Sequence, residues 1–344
     1  MQERFGNAHN GEEPMRSKKG GDKNVTSLDS VLKRLVDYLT PDDIEYEDIV
    51  WFNVFFLLVV HIAALYGLTL AFTAPSGLVL LALGLGVMWP LSGMGITIGV
   101  HRLWSHKSFK AHWSVRAVLA AFNSMAYQGS IYEWSRDHRV HHMKSETNGD
   151  PYNFNRGWIF AHIGWVMLRK HPDVIAAGKK LDFSDLKEDA IVMLQHKLYL
   201  PSVVLFCYAL PTAVGWYFTN QIWASFFILG VFRHLFVLHC TWCVNSLAHA
   251  IGHGYRPYND KINPAENLLV SILALGEGWH NYHHQYPTDY RAAEGTLWQF
   301  AFNPSTLVID SLAAVGLVWD RRSTSRSIVE KHKAKVLAAA TKAE

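Results

Sequence analysis

Two long stretches of the chain carry almost no charge. From Trp51 to Val100 there is no Asp, Glu, Lys or Arg, and from Leu198 to Val244 the single such residue is Arg233. About 20 apolar residues cross roughly 30 Å of hydrocarbon as a helix, so each stretch is long enough for two crossings and too long for one. The pattern predicts two helical hairpins. The first is expected over 51–72 and 78–98, turning at Thr73-Ala74-Pro75-Ser76-Gly77; the second over 198–218 and 222–243, turning at Thr219-Asn220-Gln221.

Both turns are uncharged. Apart from Arg233, every Lys and Arg falls in the N-terminal segment, in 101–197 or in the C-terminal segment, and the positive-inside rule puts all three in the cytosol. The expected fold class is an all-α integral membrane protein with four transmembrane helices in two hairpins. A cytosolic helical cap would be built from 101–197 and 245–320. Residues 1–47 read as a mobile polar tail, 48–320 as the domain and 321–344 as a basic tail. No signal peptide is legible in the polar first 45 residues, so the first crossing is expected to carry the targeting information.

Composition agrees with lipid as the solvent: half the residues are hydrophobic and 18% are charged, against roughly 25% charged in an average soluble domain. A net charge of +3 is too small to argue for nucleic acid. Arg321, Arg322, Arg326, Lys331, Lys333 and Lys335 suit an anionic cytosolic leaflet better, on a tail expected to be helical and solvated. Cys207, Cys240 and Cys243 cannot form a disulfide framework, and Cys240-Thr-Trp-Cys243 reads as helix packing, since free Cys behaves as a small buried hydrophobe.

The histidines change the picture. There are 19, and nine of them are patterned: His101 and His106 in HRLWSH, His138, His141 and His142 in HRVHH, His249 ending NSLAH, and His280, His283 and His284 in HNYHH. All nine fall on the side already assigned to the cytosol. On a helix each HxxHH sets one imidazole against an adjacent pair about 100° apart, wide enough for the two neighbours to serve different metals. His101 and His106 lie about 140° apart on an ideal helix, so they need a bend or separate metals. Imidazole suits iron, zinc, copper and nickel and argues against magnesium or calcium. Structural zinc closes at four ligands, and nine exceed that, which favours two redox-active metals with positions open to oxygen. Carboxylate-bridged di-iron bundles carry two Glu-x-x-His motifs; one is present, Glu277-Gly-Trp-His280, so that type is disfavoured. The other histidines, His9, His61, His112, His162, His171, His196, His234, His239, His253 and His332, read as surface or packing residues.

HRLWSH, EWSRDHRVHH, NSLAH, GYRPYND and GEGWHNYHHQYPTDYR, in this order and set among the crossings in this way, resemble the membrane acyl-CoA desaturases of the stearoyl-CoA Δ9 type. The resemblance runs from about Asp48 to about Asp320. It implies two iron ions held by His101, His106, His138, His141, His142, His249, His280, His283 and His284, with Asn245 holding an iron-bound water. It implies a saturated fatty acyl-CoA of about 16–18 carbons as substrate, O2 as oxidant, and cytochrome b5 with its NADH-dependent reductase as electron donors in the endoplasmic reticulum membrane. Neither tail contains the haem-binding HPGG of fused relatives, so the donor is expected to be a separate protein.

Headgroup contacts implied by the resemblance fall on Asn53, Arg136, Asp137, Arg169, Lys170 and Trp242. One position departs: where relatives read FQND, this chain reads Tyr127-Gln128-Gly129-Ser130, so Gly129 offers no side chain to the substrate. Trp89 and Gly93, four apart on the second crossing, are placed at the depth that sets acyl length, with Gly93 expected to leave room beside the tryptophan. The plainer readings are a hydrogen bond between helices for Asn245, an ion pair with Glu133 for Arg136, and packing at a helix crossing for Trp89. A di-iron lipid hydroxylase and a desaturase of other regiochemistry share much of this pattern, although His280 is retained where front-end desaturases often carry glutamine. A metal transporter would place its ligands nearer the bilayer midplane.

Overall fold

The computed structural model describes residues 46–250, 252, 254–295 and 302–343. The expected N-terminal tail lies outside the described residues except at its last two positions, and so do His9 and His253. The principal helices in chain order are α1 (Trp51–Thr73), α2 (Gly77–Ser105), α3 (Trp113–Ala126), α4 (Ile131–Lys144), α5 (Tyr199–Thr219), α6 (Ile222–Ser246), α7 (His280–Gln285), α8 (Pro304–Ala314) and α9 (Arg326–Ala343). Helices α1, α2, α5 and α6 are long and apolar enough to cross a membrane, and they form the two expected hairpins. A short antiparallel pair, β1 (Lys110–Ala111) with β2 (Val318–Trp319), ties the start of the cap to its end.

Two helix ends differ from the hydropathy reading. Helix α2 runs on to Ser105 rather than stopping at 98, and α6 runs to Ser246 rather than 243. Polar HRLWSH looks like an exit into water, yet Arg102 is buried and satisfied by protein, so the helix continues. The cap therefore has no boundary at 101: the membrane rods themselves carry His101 and Asn245 out to the site. From Gly95 to Ser105 the continuation is a π-helix, packed so closely on α3 that a Cβ at Gly95 would lie 2.3 Å from Asn123 N.

Helix α6 is the central rod: 56% of its most apolar stretch is buried, against 28% for α1 and for α5. Phe55, Ile62, Leu65 and Tyr217 point outward, as lipid-facing side chains should. Arg233, the lone charge of the second hairpin, is fully buried. Its guanidinium donates to the carbonyls of Leu229, Met125 and Cys207, to Ser92 Oγ and to Cys207 Sγ. Every N–H is thereby engaged without a carboxylate, which is how an intramembrane arginine is tolerated.

Helix α9 corrects the expectation of a merely solvated tail. Val329 is 3% exposed among Tyr258, Tyr282 and Tyr286. Tyr286 OH lies 2.7 Å from His332 Nδ1 with the rings stacked, and Lys333 pairs with Glu294 at 3.1 Å. The tail docks by one helical face on the outer side of α7, which at six residues needs such support.

Candidate metal centre

The nine patterned histidines converge into two sets. His101, His106, His138, His142 and His283 bring their ring nitrogens together in one; His141, His249, His280 and His284 do so in the other, with all ligand atoms of a set within 4.8 Å of one another. Each HxxHH straddles both sets. In α4 the first and last histidines serve the five-nitrogen set and the middle one crosses to the other; in α7 the assignment is reversed, because three and four residues of helix advance to opposite sides of one face.

The π-helix removes the difficulty with His101 and His106. A π-turn closes after five residues, and His106 N donates to His101 O at 3.1 Å, so the two rings fall in the same set.

The donor chemistry fits a pair of first-row metal ions. His141 Nδ1 is 2.8 Å from Asp150 and His249 Nδ1 is 3.0 Å from Glu146; His101 Nδ1 faces Glu277 at 2.9 Å, close but poorly aligned as a hydrogen bond. A carboxylate only accepts, so each Nδ1 carries the proton and each Nε2 presents a lone pair. Those lone pairs face other imidazoles: Nε2 to Nε2 is 3.0 Å for His101 and His283, 2.9 Å for His249 and His280, and 3.4 Å for His141 and His284. Nitrogens about 2.1 Å from a shared ion and at right angles would stand about 3.0 Å apart. Burial first, and then neighbouring imidazoles, holds His106, His138, His142, His280, His283 and His284 well below the usual histidine range, so the rings are neutral ligands at neutral pH.

Asp150 and Glu146 are functional candidates that the sequence reading missed, and Glu277, named there only as half of a Glu-x-x-His motif, is a third. They orient rings rather than bridge metals. Glu277 is held in turn by Arg102, whose Nε donates at 3.0 Å, and Arg102 reaches Thr306, Asn303 and the Tyr290 carbonyl. Asp150 and Glu146 lie just after HRVHH, and proximity to that box was the only available signal.

Behind α7 sits another buried carboxyl. Glu266 accepts the Tyr282 N–H at 2.7 Å through one oxygen, while the other has no partner among the described residues. Burial pushes its pKa up from 4.5 to about 8. The folded protein thus keeps a proton there that the unfolded chain releases. Its stability contribution is fully present below 4.5 and is lost as the pH rises through about 8. Glu266→Gln keeps the acceptor and removes the titration. Thermal melts across that window should be flatter for the variant and higher than wild type at the alkaline end; parallel curves would refute this assignment.

A cavity opens beside the two sets. His101, His138, His141 and His280 line it, as do Asn53, Arg136, Asp137, Lys170, Trp242, Asn245, Trp89 and Gly93. Arg169 is not in it but lines a small adjoining pocket that shares Lys170 and Trp165. Arg136 pairs with Asp137 at 3.0 Å, rather than with Glu133, which closes a capping box with Ser130; Asp137 also holds Lys170 at 2.5 Å. Asn53 donates to the Val166 carbonyl at 2.7 Å, fixing α1 to the cap. Gln128, absent from the sequence reading as a site residue, donates to Thr241 Oγ1 at 2.9 Å, and both line the cavity. Gly129 faces open space, since a Cβ there meets nothing within 4 Å. Trp89 and Gly93 both line the cavity, and a Cβ on Gly93 would lie 2.6 Å from Leu275 Cδ1. Trp89 itself packs edge-on against Phe236 at 5.6 Å.

Comparison with known proteins agrees with this arrangement. Residues 73–293 match the family model described as fatty acid desaturase. The chain is 47% identical over 290 residues to stearoyl-CoA desaturase 5 of Bos taurus, covering 84% of each chain. It is 46% identical over 284 residues to an acyl-CoA Delta-9 desaturase of Acheta domesticus, covering 82% of this chain and 77% of that one. To stearoyl-CoA desaturase 5 of Homo sapiens it is 45% identical over 290 residues, with 84% and 86% covered.

Proposed function

The chain belongs to the fatty acid desaturase family, and we propose that it is an O2-dependent oxidoreductase that introduces a cis double bond at the Δ9 position of saturated acyl-CoA of about 16–18 carbons. The observation that carries this reading is the pairing of a five- and a four-imidazole set at the wall of one apolar cavity whose lining also includes the charged trio Arg136, Asp137 and Lys170. Removing hydrogen from an unactivated methylene is beyond side-chain acids and bases, and two iron ions held by these sets would supply the oxidising power. The four-imidazole set is one ligand short of its neighbour; Asn245, in the last turn of α6 four residues before His249 and in the cavity wall, is the residue to hold a water there.

The protein's own contribution is placement. Asn53, Arg136, Asp137, Lys170 and Trp242 hold the coenzyme A end, with Arg169 reaching it from the adjoining pocket; arginine forks and lysine point charges suit its phosphates. Cavity walls exclude water and fix one stretch of the chain against His101, His138, His141 and His280. Electrons would come from cytochrome b5 and its NADH-dependent reductase, in the endoplasmic reticulum membrane, with both tails and the metal centre cytosolic. The residue ranges 48–320 for the catalytic domain and 1–47 and 321–344 for the tails remain the working division.

Expression in a desaturase-deficient cell, followed by mapping of double bonds in its lipids, tests the reading: new Δ9 monoenes are expected, and an alcohol or no new unsaturation would overturn it. Trp89 is assigned the end of the acyl channel. Trp89→Ala should move the preferred substrate toward longer chains by about two to four carbons, measured by competition between acyl-CoAs of graded length. An unchanged preference would remove Trp89 from this role.

A further inference from the structure

The two imidazole sets explain the histidines of HNYHHQY but not its tyrosines. Tyr282 and Tyr286 lie four apart on α7, on the face that turns away from the histidines, and Tyr258 of GYRPYND packs against both. Ring centroids are 5.1 Å apart for Tyr258 and Tyr282, 4.8 Å for Tyr282 and Tyr286, and 6.1 Å for Tyr258 and Tyr286. Tyr286 in turn stacks on His332 of α9 at 5.7 Å with 7° between planes. Tyr282 is bonded directly to His283, and His332 is half-buried, so the cluster starts at the metal centre and ends at a ring that water reaches.

A buried phenol needs an acceptor, and a backbone carbonyl would serve. These three have bases instead. Tyr282 OH donates to Asp289 at 2.9 Å, Tyr258 OH donates to Glu294, and Tyr286 OH lies 2.7 Å from His332 Nδ1. Arg291 on Asp289 at 2.7 Å and Lys333 on Glu294 at 3.1 Å keep both carboxylates ionised and able to accept. A phenol is protonated at neutral pH and its oxidised cation is a strong acid, so it gives up an electron readily only where its proton has somewhere to go. Two other oxidisable rings touch metal ligands, Trp134 stacked on His138 at 4.8 Å and Tyr152 at 5.4 Å from His141, but both line the cavity. The tyrosine cluster leads away from the substrate.

The geometry points to a protective route: Tyr282, Tyr258 and Tyr286 carry oxidising equivalents out of the metal centre when O2 is reduced there with no methylene to attack. The inference rests on the desaturase reading. In productive turnover one O2, two electrons, two protons and the two hydrogens of a –CH2–CH2– unit give –CH=CH– and two waters. Without substrate, those two hydrogens come from two molecules of a soluble hydrogen-atom donor RH, of the ascorbate or thiol class, each leaving as R•. Each passage is balanced. Tyr282 gives an electron to the centre and its proton to Asp289; Tyr286 then gives an electron to the Tyr282 radical and its proton to His332, and Asp289 returns the proton of Tyr282. At the outer end RH gives its electron to the Tyr286 radical and its proton to solvent, from which the centre takes one, and His332 returns the proton of Tyr286. Tyr258 with Glu294 is a second ring that shares the radical with Tyr282. With the route cut, the same equivalents fall on the ligand imidazoles.

The test uses full-length, iron-loaded protein in lipid nanodiscs without acyl-CoA, mixed with hydrogen peroxide, which is O2 with two electrons and two protons already added, and freeze-quenched for electron paramagnetic resonance. The wild type should show a tyrosyl radical. Tyr282→Phe keeps the ring and removes the hydroxyl; it should lose most of that signal per bound iron, and oxidised ligand histidines should accumulate in its peptides by mass spectrometry. Tyr286→Phe should keep a radical whose quenching by ascorbate is slower, and Trp134→Phe should leave the signal per bound iron in place. Circular dichroism and iron analysis establish that the variants fold and load. No radical in the wild type, an undiminished radical or unchanged ligand oxidation in the Tyr282 variant, loss of the radical in the Trp134 variant instead, or the same radical from metal-free protein would each overturn the route. If the wild type forms no new double bond in cells yet shows the radical and its loss in the Tyr282 variant, the desaturase reading fails and the route stands, because peroxide oxidises the centre whatever its substrate.

Discussion

Replacing His280 by alanine is expected to leave about one bound metal ion per chain, against an expected two or so for the unaltered protein, and to abolish desaturation. The expectation follows from the unequal sets. His280 Nε2 stands 2.9 Å from that of His249 and 3.1 Å from that of His284, so it is the hub of the four-nitrogen set. Its loss leaves three imidazoles and a water, which holds a divalent ion weakly. His283→Ala instead reduces five nitrogens to four, a complete shell for a first-row ion, and should retain close to two irons while still losing activity. Iron analysis of purified protein, with circular dichroism to establish folding, separates the cases. Equal iron in the two variants would show that the division into five and four does not describe the occupied centre.

Much of this centre was legible in the sequence because its elements are local words. The crossings could be read because a helix in lipid must be apolar on every turn, and six of the nine histidines because HxxHH was spelled twice. What escaped was non-local or non-ideal. His101 and His106 needed a bend or separate metals at 100° per residue, and the π-helix from Gly95 to Ser105 is what brings them into one set. No periodicity announces such a turn. Glu146 reaches His249 across 103 positions and Glu277 reaches Arg102 across 175, separations that carry no pattern in a single chain. The docked face of α9, Val329, His332 and Lys333, is hidden in a helix whose charged and apolar residues show no clean stripe.

Glu277→Gln should be the most damaging substitution that touches no metal. The carboxylate sits between His101 and the fully buried Arg102, with side chains 7% and 1% exposed. Burial alone would raise its pKa, but Arg102 and then His101 outweigh that and hold the carboxyl below its usual range, so it is charged at neutral pH. Two losses follow from neutralising it. His101 loses the partner that fixes its tautomer and its ring, which should weaken metal binding about 10–100-fold. Arg102 keeps its charge without a counter-ion, and breaking a buried pair in this way costs about 3–5 kcal/mol. Because Thr306, Asn303 and the Tyr290 carbonyl still accept from the guanidinium, the lower end of that range is expected. The two losses separate experimentally: denaturant melts of metal-free protein report the Arg102 term, and metal titration of the folded variant reports the His101 term. The double variant Arg102→Met with Glu277→Gln should recover most of the stability, because no buried charge is left unpaired, without recovering metal affinity. If the double variant regains both, Glu277 acts only as a counter-ion and has no part in orienting His101.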